Sequence, residues 1–448
     1  MAAVVEACQS CPRSQRNSKA VVGNYRPISL LEPLNKVFER LVARALITHA
    51  LAVGAIPGAQ AAFLRYRGSA DVLTFFVQHA IGAMNARRPF RAILTDVSGA
   101  FDRVDRSILL RRLEEIGVTG PLLKLLSSYL SNRYFHVVAA GAVSWTFVEP
   151  AGVVQGSALG PILWLIFFAP VFRAINERHP DVMVPTFADD LKLAGPPESV
   201  LAACSTFQEW CAANRVTADP AKEAVLNIRN AKDGSTRPAN DPATDKPVPL
   251  HHVRDLGLEV DENLVFSAHF DKQLARGHKA VTRLLRLSGL MPEARLAALF
   301  KSNVYGVLEY GMMGYIFATP AQLARLDGPG SRFTRCTGVA LPPMGHRRFV
   351  GAMCYMYRVI VLSRCAPCVL SCYTRATAAP ARKSLRFSPA VTHGYQIECK
   401  YTAGRVPDLD VYRRVLAIRE IWNALPVDCF GHGAKAFKAA INKIEKSI

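Results

Sequence analysis

The sequence predicts an α+β fold, and three observations carry that prediction. Short apolar strands and amphipathic helices follow one another without a repeated strand–helix–strand unit, which argues against a doubly wound parallel sheet. Half of the 448 residues are apolar and a fifth are charged, enough for a sizeable core. Two hairpin patterns, one around Gly141 and one around Asp189-Asp190, set antiparallel strands beside the helices.

Residues 1–20 are polar and basic and are expected to be flexible. Phe90 to Val97 reads as a short apolar strand that turns at Ser98-Gly99. Asp105 or Ser107 then caps a helix with Ile108, Leu109, Leu113 and Ile116 on its apolar face, stopped by Gly117. Gly120-Pro121 opens the next helix, with Leu122, Leu126, Tyr129 and Leu130 inward. Tyr134 to Ala139 and Ser144 to Val148 alternate as a hairpin. Val182 to Val184 and Leu191 to Leu193 flank the Asp-Asp pair as a second one. The Pro- and Asp-rich stretch 229–249 is a loop between folded parts, with a weaker break at 374–384.

The net charge is +20 and the pI about 9.7, a field that concentrates polyanions, nucleic acid above all; a solubilising surface is the bland alternative. The N-terminus has an apolar stretch with no basic residue before it, a poor signal peptide. Within the uncharged run Pro150 to Phe172, the predominantly apolar part from Ser157 to Phe172 spans 16 residues and holds Pro161 and Pro170. It falls short of the ~20 residues that cross a bilayer and reads as a buried core helix, so no membrane association is expected. The 11 cysteines lack framework spacing and fit a reduced, intracellular setting. Cys8/Cys11 and Cys365/Cys368/Cys372 have metal-like spacing without a partner pair; ordinary thiols are the simpler reading, a structural zinc the other.

The chemistry concentrates in a few segments. Adjacent carboxylates in Met183–Gly195 (MVPTFADDLKLAG) repel each other beside apolar strands, and a divalent cation would remove that penalty. A solvated turn would also explain them. Asp96 ends the separate strand ILTD, and Phe101 follows five residues later in Gly-Ala-Phe-Asp. Three carboxylates from two strand ends suit two metal ions that activate a primer 3′-oxygen and steady a departing pyrophosphate. Asp102 reads as a brace for the following turn. Between these segments GVVQGSALGP (Gly152 to Pro161) leaves backbone room for a flat base, and Gln155 offers both a donor and an acceptor. Further on, Lys272, Arg276, Lys279, Arg283 and Arg286 recur at helical spacing with no acid among them. Such a stripe can follow a phosphate backbone, although a solvated face is the common alternative.

The ordered set NYRPISLL (Asn24 to Leu31), GAQAAFLRYRGSADVL (Gly58 to Leu73), LTDVSGAFDRVD, GVVQGSALGP and FADD resembles the reverse transcriptase of non-LTR (LINE-type) retrotransposons. Trp210 to Ile228, His251 to Phe270, LEYGMMGY and IWNALP (Ile421 to Pro426) are similar to its later segments, so the resemblance runs from about residue 20 to 440. It implies a right-hand polymerase: fingers (21–90), a palm with an antiparallel sheet (91–230), a loop (231–250), a primer-grip hairpin with a helical thumb (251–345) and a small C-terminal helical region (346–448).

The resemblance also implies roles. Asp96, Asp189 and Asp190 would be the catalytic acids, holding two Mg²⁺ (or Mn²⁺) with the Val97 carbonyl. Phe101 would exclude a ribose 2′-hydroxyl, and Gln155 and Gly156 would contact the incoming nucleotide and template. Arg65, Arg67 and Lys222 would meet the triphosphate or pyrophosphate, with solvated loop arginines as the alternative for the first two. The basic helix would belong to the thumb. Expected partners are an RNA template, a DNA primer or target and dNTPs, in a nuclear and cytoplasmic ribonucleoprotein. The chain departs from the family where Val154 replaces Pro, Gly99 replaces Lys, and Phe168-Ala169-Pro170 replaces an Asn-Asp pair. These departures keep a catalytically inactive, nucleic-acid-binding remnant as the alternative, with an intron-maturase or telomerase-like polymerase behind it. The chain starts close to the first polymerase motif, so an endonuclease domain is not expected.

Overall fold

The computed structural model describes residues 2–9, 25–139, 142–219, 223–228, 250–311, 319–342, 344–375, 397–399, 421–430 and 433–444. Helices and antiparallel strands mix as expected for α+β. The chain divides into two compact units, one of Met1–Phe63, Thr95–Leu193 and Glu198–Glu223, the other of Leu64–Leu94, Ala194–Pro197 and Ala224–Ile448.

In the first unit, β1 (Ala2–Gln9) lies antiparallel to β2 (Tyr25–Leu30) and parallel to a later strand, Tyr134–Ala139. Residues 2–9 therefore form a strand, where composition led to a flexible tail. With a neighbour on each side, the strand's N–H and C=O groups have ladder partners, which outweighs weak local propensity. Residues 10–20 lie outside the described set. The helix α1 (Pro33–Ala52) follows, with proline in its first turn, where no amide donor is needed.

Two units of sequence pattern survive intact further along the chain. Helix α2 (Ser69–Asn85) and β3 (Phe90–Thr95) lead to α3 (Arg106–Glu115), where Asp105 caps by accepting from the Ser107 and Ile108 amides. Leu109 and Leu113 are fully buried, as is Leu126 of α4 (Gly120–Leu130). Arg112 breaks the pattern: its guanidinium sits 4.6 Å from the Phe167 ring and 5.3 Å from Trp210, and it donates to Asn214. Aromatic faces and an amide carbonyl replace its lost hydration, while burial pulls its pKa down to about 10. The hairpin follows as β4 (Tyr134–Ala139), β5 (Ala142–Val143) and β6 (Phe147–Val148).

The uncharged run forms two helices rather than one, because Pro170 cannot donate into a continuous ladder. Helix α5 (Gly160–Phe168) is buried on every side, and α6 (Pro170–Arg178) starts anew. The hairpin that carries the Asp-Asp pair is β7 (Thr186–Phe187) and β8 (Asp190–Gly195). The expected arm Val182–Val184 is not its strand; pairing begins after Pro185, which has no amide to give. Helix α7 (Pro197–Ala213) brings Trp210 against Phe167 and Phe168.

In the second unit β3 runs antiparallel to β9 (Ala224–Ile228), from Phe90 opposite Ile228 to Leu94 opposite Ala224. The loop 231–250 lies outside the described residues except Leu250. The hairpin β10 (His252–Asp255) and β11 (Leu258–Asp261) leads into α8 (Ser267–Leu285), against which Pro320–Thr337 packs. Asp71 of α2 is fully buried and accepts from Arg358 at 2.8 Å, from the Gly68 amide at 3.0 Å, and from Tyr355 and the Ala366 amide at 3.3 Å each. Trp422, from the late IWNALP segment, is fully buried beside Phe430 and Phe437. Among the described residues no helix is long and apolar enough to cross a membrane.

Candidate active site

Asp96 follows the last residue of β3 and is 6% exposed. An antiparallel bridge between Val97 and Ala218 fixes it: the Asp219 amide donates to the Asp96 carbonyl at 2.8 Å, and the Ser98 amide to the Thr217 carbonyl at 2.9 Å. Those two bonds leave the Val97 carbonyl outside the bridge.

Asp189 occupies the tip of the β7–β8 hairpin, where Phe187 pairs with Asp190 across a two-residue turn. Such turns need left-handed backbone, and Ala188 supplies it at φ +63°. Two hydrogen bonds from a buried side chain, itself held by a third, secure this turn. The Gln60 Oε1 accepts from the Ala188 amide at 3.0 Å and the Ala62 amide at 3.0 Å, and its Nε2 donates to the Ala188 carbonyl at 3.2 Å.

The hairpin tip brings the Asp189 carboxyl into hydrogen-bonding contact with Asp96. Burial and then the Asp96 charge push the Asp189 pKa well above the ordinary carboxylate range. Asp190 is exposed at the start of β8 and adds the least to that shift. Strand neighbours point to opposite faces, so the structure joins Asp96 and Asp189 but does not add Asp190 to them as an equal third. Among the described residues no group of three or more His, Cys, Asp or Glu is arranged to hold a metal. A buried and a half-buried carboxyl in contact nonetheless fit a divalent cation, since a bound cation would relieve both their desolvation and their repulsion.

The surrounding wall is aromatic. Phe101 stacks on the buried Trp164 at 6.0 Å and 23°, and meets Phe63 edge-on at 6.4 Å. Gly152 (φ +90°) passes so close that an added Cβ would lie 2.8 Å from the Asp102 carbonyl oxygen and 2.9 Å from that of Phe101. The segment after it is gripped at both ends. Arg106 donates to the carbonyls of Glu149, Ala151 and Gly152 and to the Glu149 carboxylate. The buried Glu39 carboxylate accepts from the Ala158 amide at 2.7 Å and the Tyr129 hydroxyl at 2.8 Å. Between them, the Ser29 amide donates to the Gln155 carbonyl at 2.8 Å. Gly156 (φ +112°) leaves no room for a Cβ, which would fall 2.7 Å from the Ser29 carbonyl oxygen. Gln155 is half-buried and Gly156 exposed.

Arg65 and Arg67 belong to the second unit; Arg65 lies 4.6 Å over the Tyr66 ring. Lys222 lies outside the described residues. On α8, Arg276, Lys279 and Arg283 are exposed, and the exposed Arg286 caps the helix end. Lys272 is only half-exposed and bonded to Glu259 of β11, so an acid distant in sequence neutralises the first cation of the stripe. Burial pushes the Cys365 thiol up to about 11 and Cys368 up to about 12, which keeps both protonated at neutral pH. Cys11 lies outside the described residues.

Gln60 and Glu39 carry no spacing signal of their own. Each lies within or just after a segment that resembles the family, but their partners are 128 and 119 residues away.

Comparison with known proteins bears on the whole arrangement. Residues 15–259, more than half of the chain, match the family described as reverse transcriptase (RNA-dependent DNA polymerase). The RNA-directed DNA polymerase from mobile element jockey of Drosophila melanogaster is 32% identical over 324 residues, covering 68% of this chain and 34% of that protein. The probable RNA-directed DNA polymerase from transposon X-element of the same organism is 28% identical, covering 70% and 35%. The chain thus spans about a third of the length of these relatives. Among solved structures, apo telomerase from Candida tropicalis aligns with a TM-score of 0.43 at 11% identity, over 78% of this chain and 61% of that one. With the paired carboxyls in place and the match extending across both strand ends that carry them, the chain belongs to the reverse transcriptase (RNA-dependent DNA polymerase) family.

Proposed function

We propose that this chain is an RNA-directed DNA polymerase of a non-LTR retrotransposon, extending a primer 3′-hydroxyl with dNTPs on an RNA template. The observation that carries the reading is the contact between the buried Asp96 and the half-buried Asp189. Asp96, Asp189 and the Val97 carbonyl would hold two Mg²⁺, for which Mn²⁺ can substitute, and Asp190 would join as the outer acid. Bound there, the ions would lower the pKa of the primer hydroxyl and offset charge on the leaving pyrophosphate. The residues around them do the placing. Gln155 and Gly156, against which the Ser29 backbone lies, would contact the base pair, and Phe101, stacked on Trp164, would exclude a 2′-hydroxyl. Arg65, Arg67 and Lys222 are proposed for the triphosphate.

In this reading 21–90, 91–230 and 251–345 act as fingers, palm and thumb, and 346–448 as a C-terminal region. Template RNA, primer DNA and a ribonucleoprotein shared between nucleus and cytoplasm are the proposed setting. Primer extension on a primed RNA template with dNTPs and Mg²⁺ tests it, with Asp189→Ala as control. Wild type extending no better than that control would leave a binding remnant as the correct reading.

Two further outcomes follow. Phe101→Val should admit ribonucleotides, lowering dNTP-over-rNTP selectivity by at least roughly tenfold, the order of one lost close contact in a specificity pocket. Unchanged selectivity in single-nucleotide incorporation assays would remove Phe101 from that role. Replacing Arg276, Lys279 and Arg283 together with Gln should reduce the log–log salt slope of template binding by about two to three, near 0.7–0.9 per lost phosphate contact. Lys272→Gln alone should change it little, because Glu259 already holds that charge.

A further inference from the structure

We infer that Gln60 is the positioning residue for Asp189, an inference that rests on reading Asp96 and Asp189 as metal ligands. The argument starts with Ala188. A two-residue hairpin turn needs positive φ, which glycine or asparagine adopts readily and alanine does not. Ala188 nonetheless sits at φ +63°, immediately before the carboxylate whose direction matters most. Left to itself, an Ala-Asp turn would sample other backbone conformations, each aiming Asp189 elsewhere.

Gln60 removes that freedom. Its amide engages both the N–H and the C=O of Ala188, so it fixes the planes of the two peptides that flank that residue. A hydroxyl or a carboxylate could not donate and accept in this paired way; a primary amide can. The Gln60 side chain is itself held, accepting from the Ala62 amide, and is only 2% exposed. Its backbone is anchored to the same hairpin: a parallel bridge joins Gln60 to Thr186, the Ala61 amide donates to the Thr186 carbonyl at 3.1 Å, and the Thr186 amide donates to the Ala59 carbonyl at 3.1 Å. The segment 59–62 is thus a splint along the hairpin's outer arm, with the Gln60 amide closing it over the tip. Such a splint opposes the separation of two carboxylates that repel each other when ionised.

The experiment is a metal titration that needs no turnover. Mn²⁺ is added to the full chain bound to primed RNA template, and free Mn²⁺ is followed by electron paramagnetic resonance. Gln60→Met keeps the volume and removes all three side-chain bonds. We expect it to raise the Mn²⁺ dissociation constant about tenfold or more, the usual loss when a partner that orients a ligand is removed. Template affinity should stay within about twofold. The double variant Gln60→Met/Asp189→Asn should bind Mn²⁺ no more weakly than Asp189→Asn alone, since both act on one ligand. Should the Met variant not fold, Gln60→Asn, one methylene short of the turn, should shift the constant the same way.

Wild-type Mn²⁺ affinity in Gln60→Met, or a loss of template affinity as large as the loss of metal, would overturn the inference. If Asp189→Asn binds Mn²⁺ like wild type, the metal-ligand reading fails and takes this inference with it. If Asp189→Asn loses Mn²⁺ while Gln60→Met does not, only the role of Gln60 fails.

Discussion

Asp189→Ala should leave primer extension at least about 10³-fold below wild type, because metal-assisted charge stabilisation is worth several kcal/mol and each 1.36 kcal/mol is tenfold in rate. The same substitution should not weaken the fold. In metal-free buffer, Asp189 shares a buried site with Asp96, and its pKa is pushed up to about 7 by burial and by that neighbour. A carboxyl with a raised folded-state pKa binds its proton more tightly folded than unfolded. It therefore costs stability as pH rises from the ordinary carboxylate value towards neutrality. Wild type without metal should lose stability across that window, and saturating Mg²⁺ should restore it. Asp189→Ala should show a flatter profile and melt no lower than metal-free wild type at pH 7. Calorimetry across pH 4.5–7.5, with and without Mg²⁺, distinguishes a site built for a cation from an ordinary turn: a variant that melts well below wild type would mean that Asp189 stabilises the fold, contrary to this account.

Arg358→Ala should destabilise the second unit by about 3 kcal/mol, the lower end of the cost of leaving a buried ion without its partner. The lower end applies because the Arg358 side chain is 35% exposed, while Asp71 is wholly buried. Burial raises the Asp71 pKa, and the Arg358 charge opposes that rise. Without Arg358 the rise is larger, and folding at pH 7 must either bury a bare carboxylate or take up a proton. The deficit should accordingly shrink as pH falls towards 4, where the unfolded chain is protonated as well. Adding Asp71→Asn to Arg358→Ala should recover part of the loss at pH 7. Urea unfolding of the two variants at pH 7 and pH 5 measures both effects; a pH-independent deficit would mean that packing, not charge, is what Arg358 contributes.

The sequence revealed what depends on near neighbours. Asp105 capping α3, the hairpin around Asp189 and the basic face of α8 all follow from spacings of two to four residues. It did not reveal what depends on distant partners. Gln60 in GAQAAF looks like one more polar loop residue until the Ala188 peptide, 128 positions later, comes to lie against it. Arg112 belongs to the polar face of α3 by periodicity, yet Phe167 and Trp210 enclose it. Lys272 completes a run of cations in sequence, and Glu259 subtracts it in three dimensions. The strand at residues 2–9 was hidden for the same reason, since its partners are set by register with Tyr25–Leu30 and Tyr134–Ala139. The Val182–Val184 arm was misplaced by a nearer cause, the missing amide of Pro185.

The buried contacts of Asp71 also set a timetable. The Ala366 amide lies 295 positions downstream, and Arg358 lies 287. At roughly 5–20 residues per second, a ribosome needs about 15–60 s to make the intervening chain. For that interval Asp71 and Thr74 of α2, both buried in the finished unit, lack their Tyr355, Arg358 and Ala366 partners. Nascent chains stalled between residues 100 and 350 should therefore be the ones that recruit chaperones, and release should come only once residue 366 has cleared the exit tunnel.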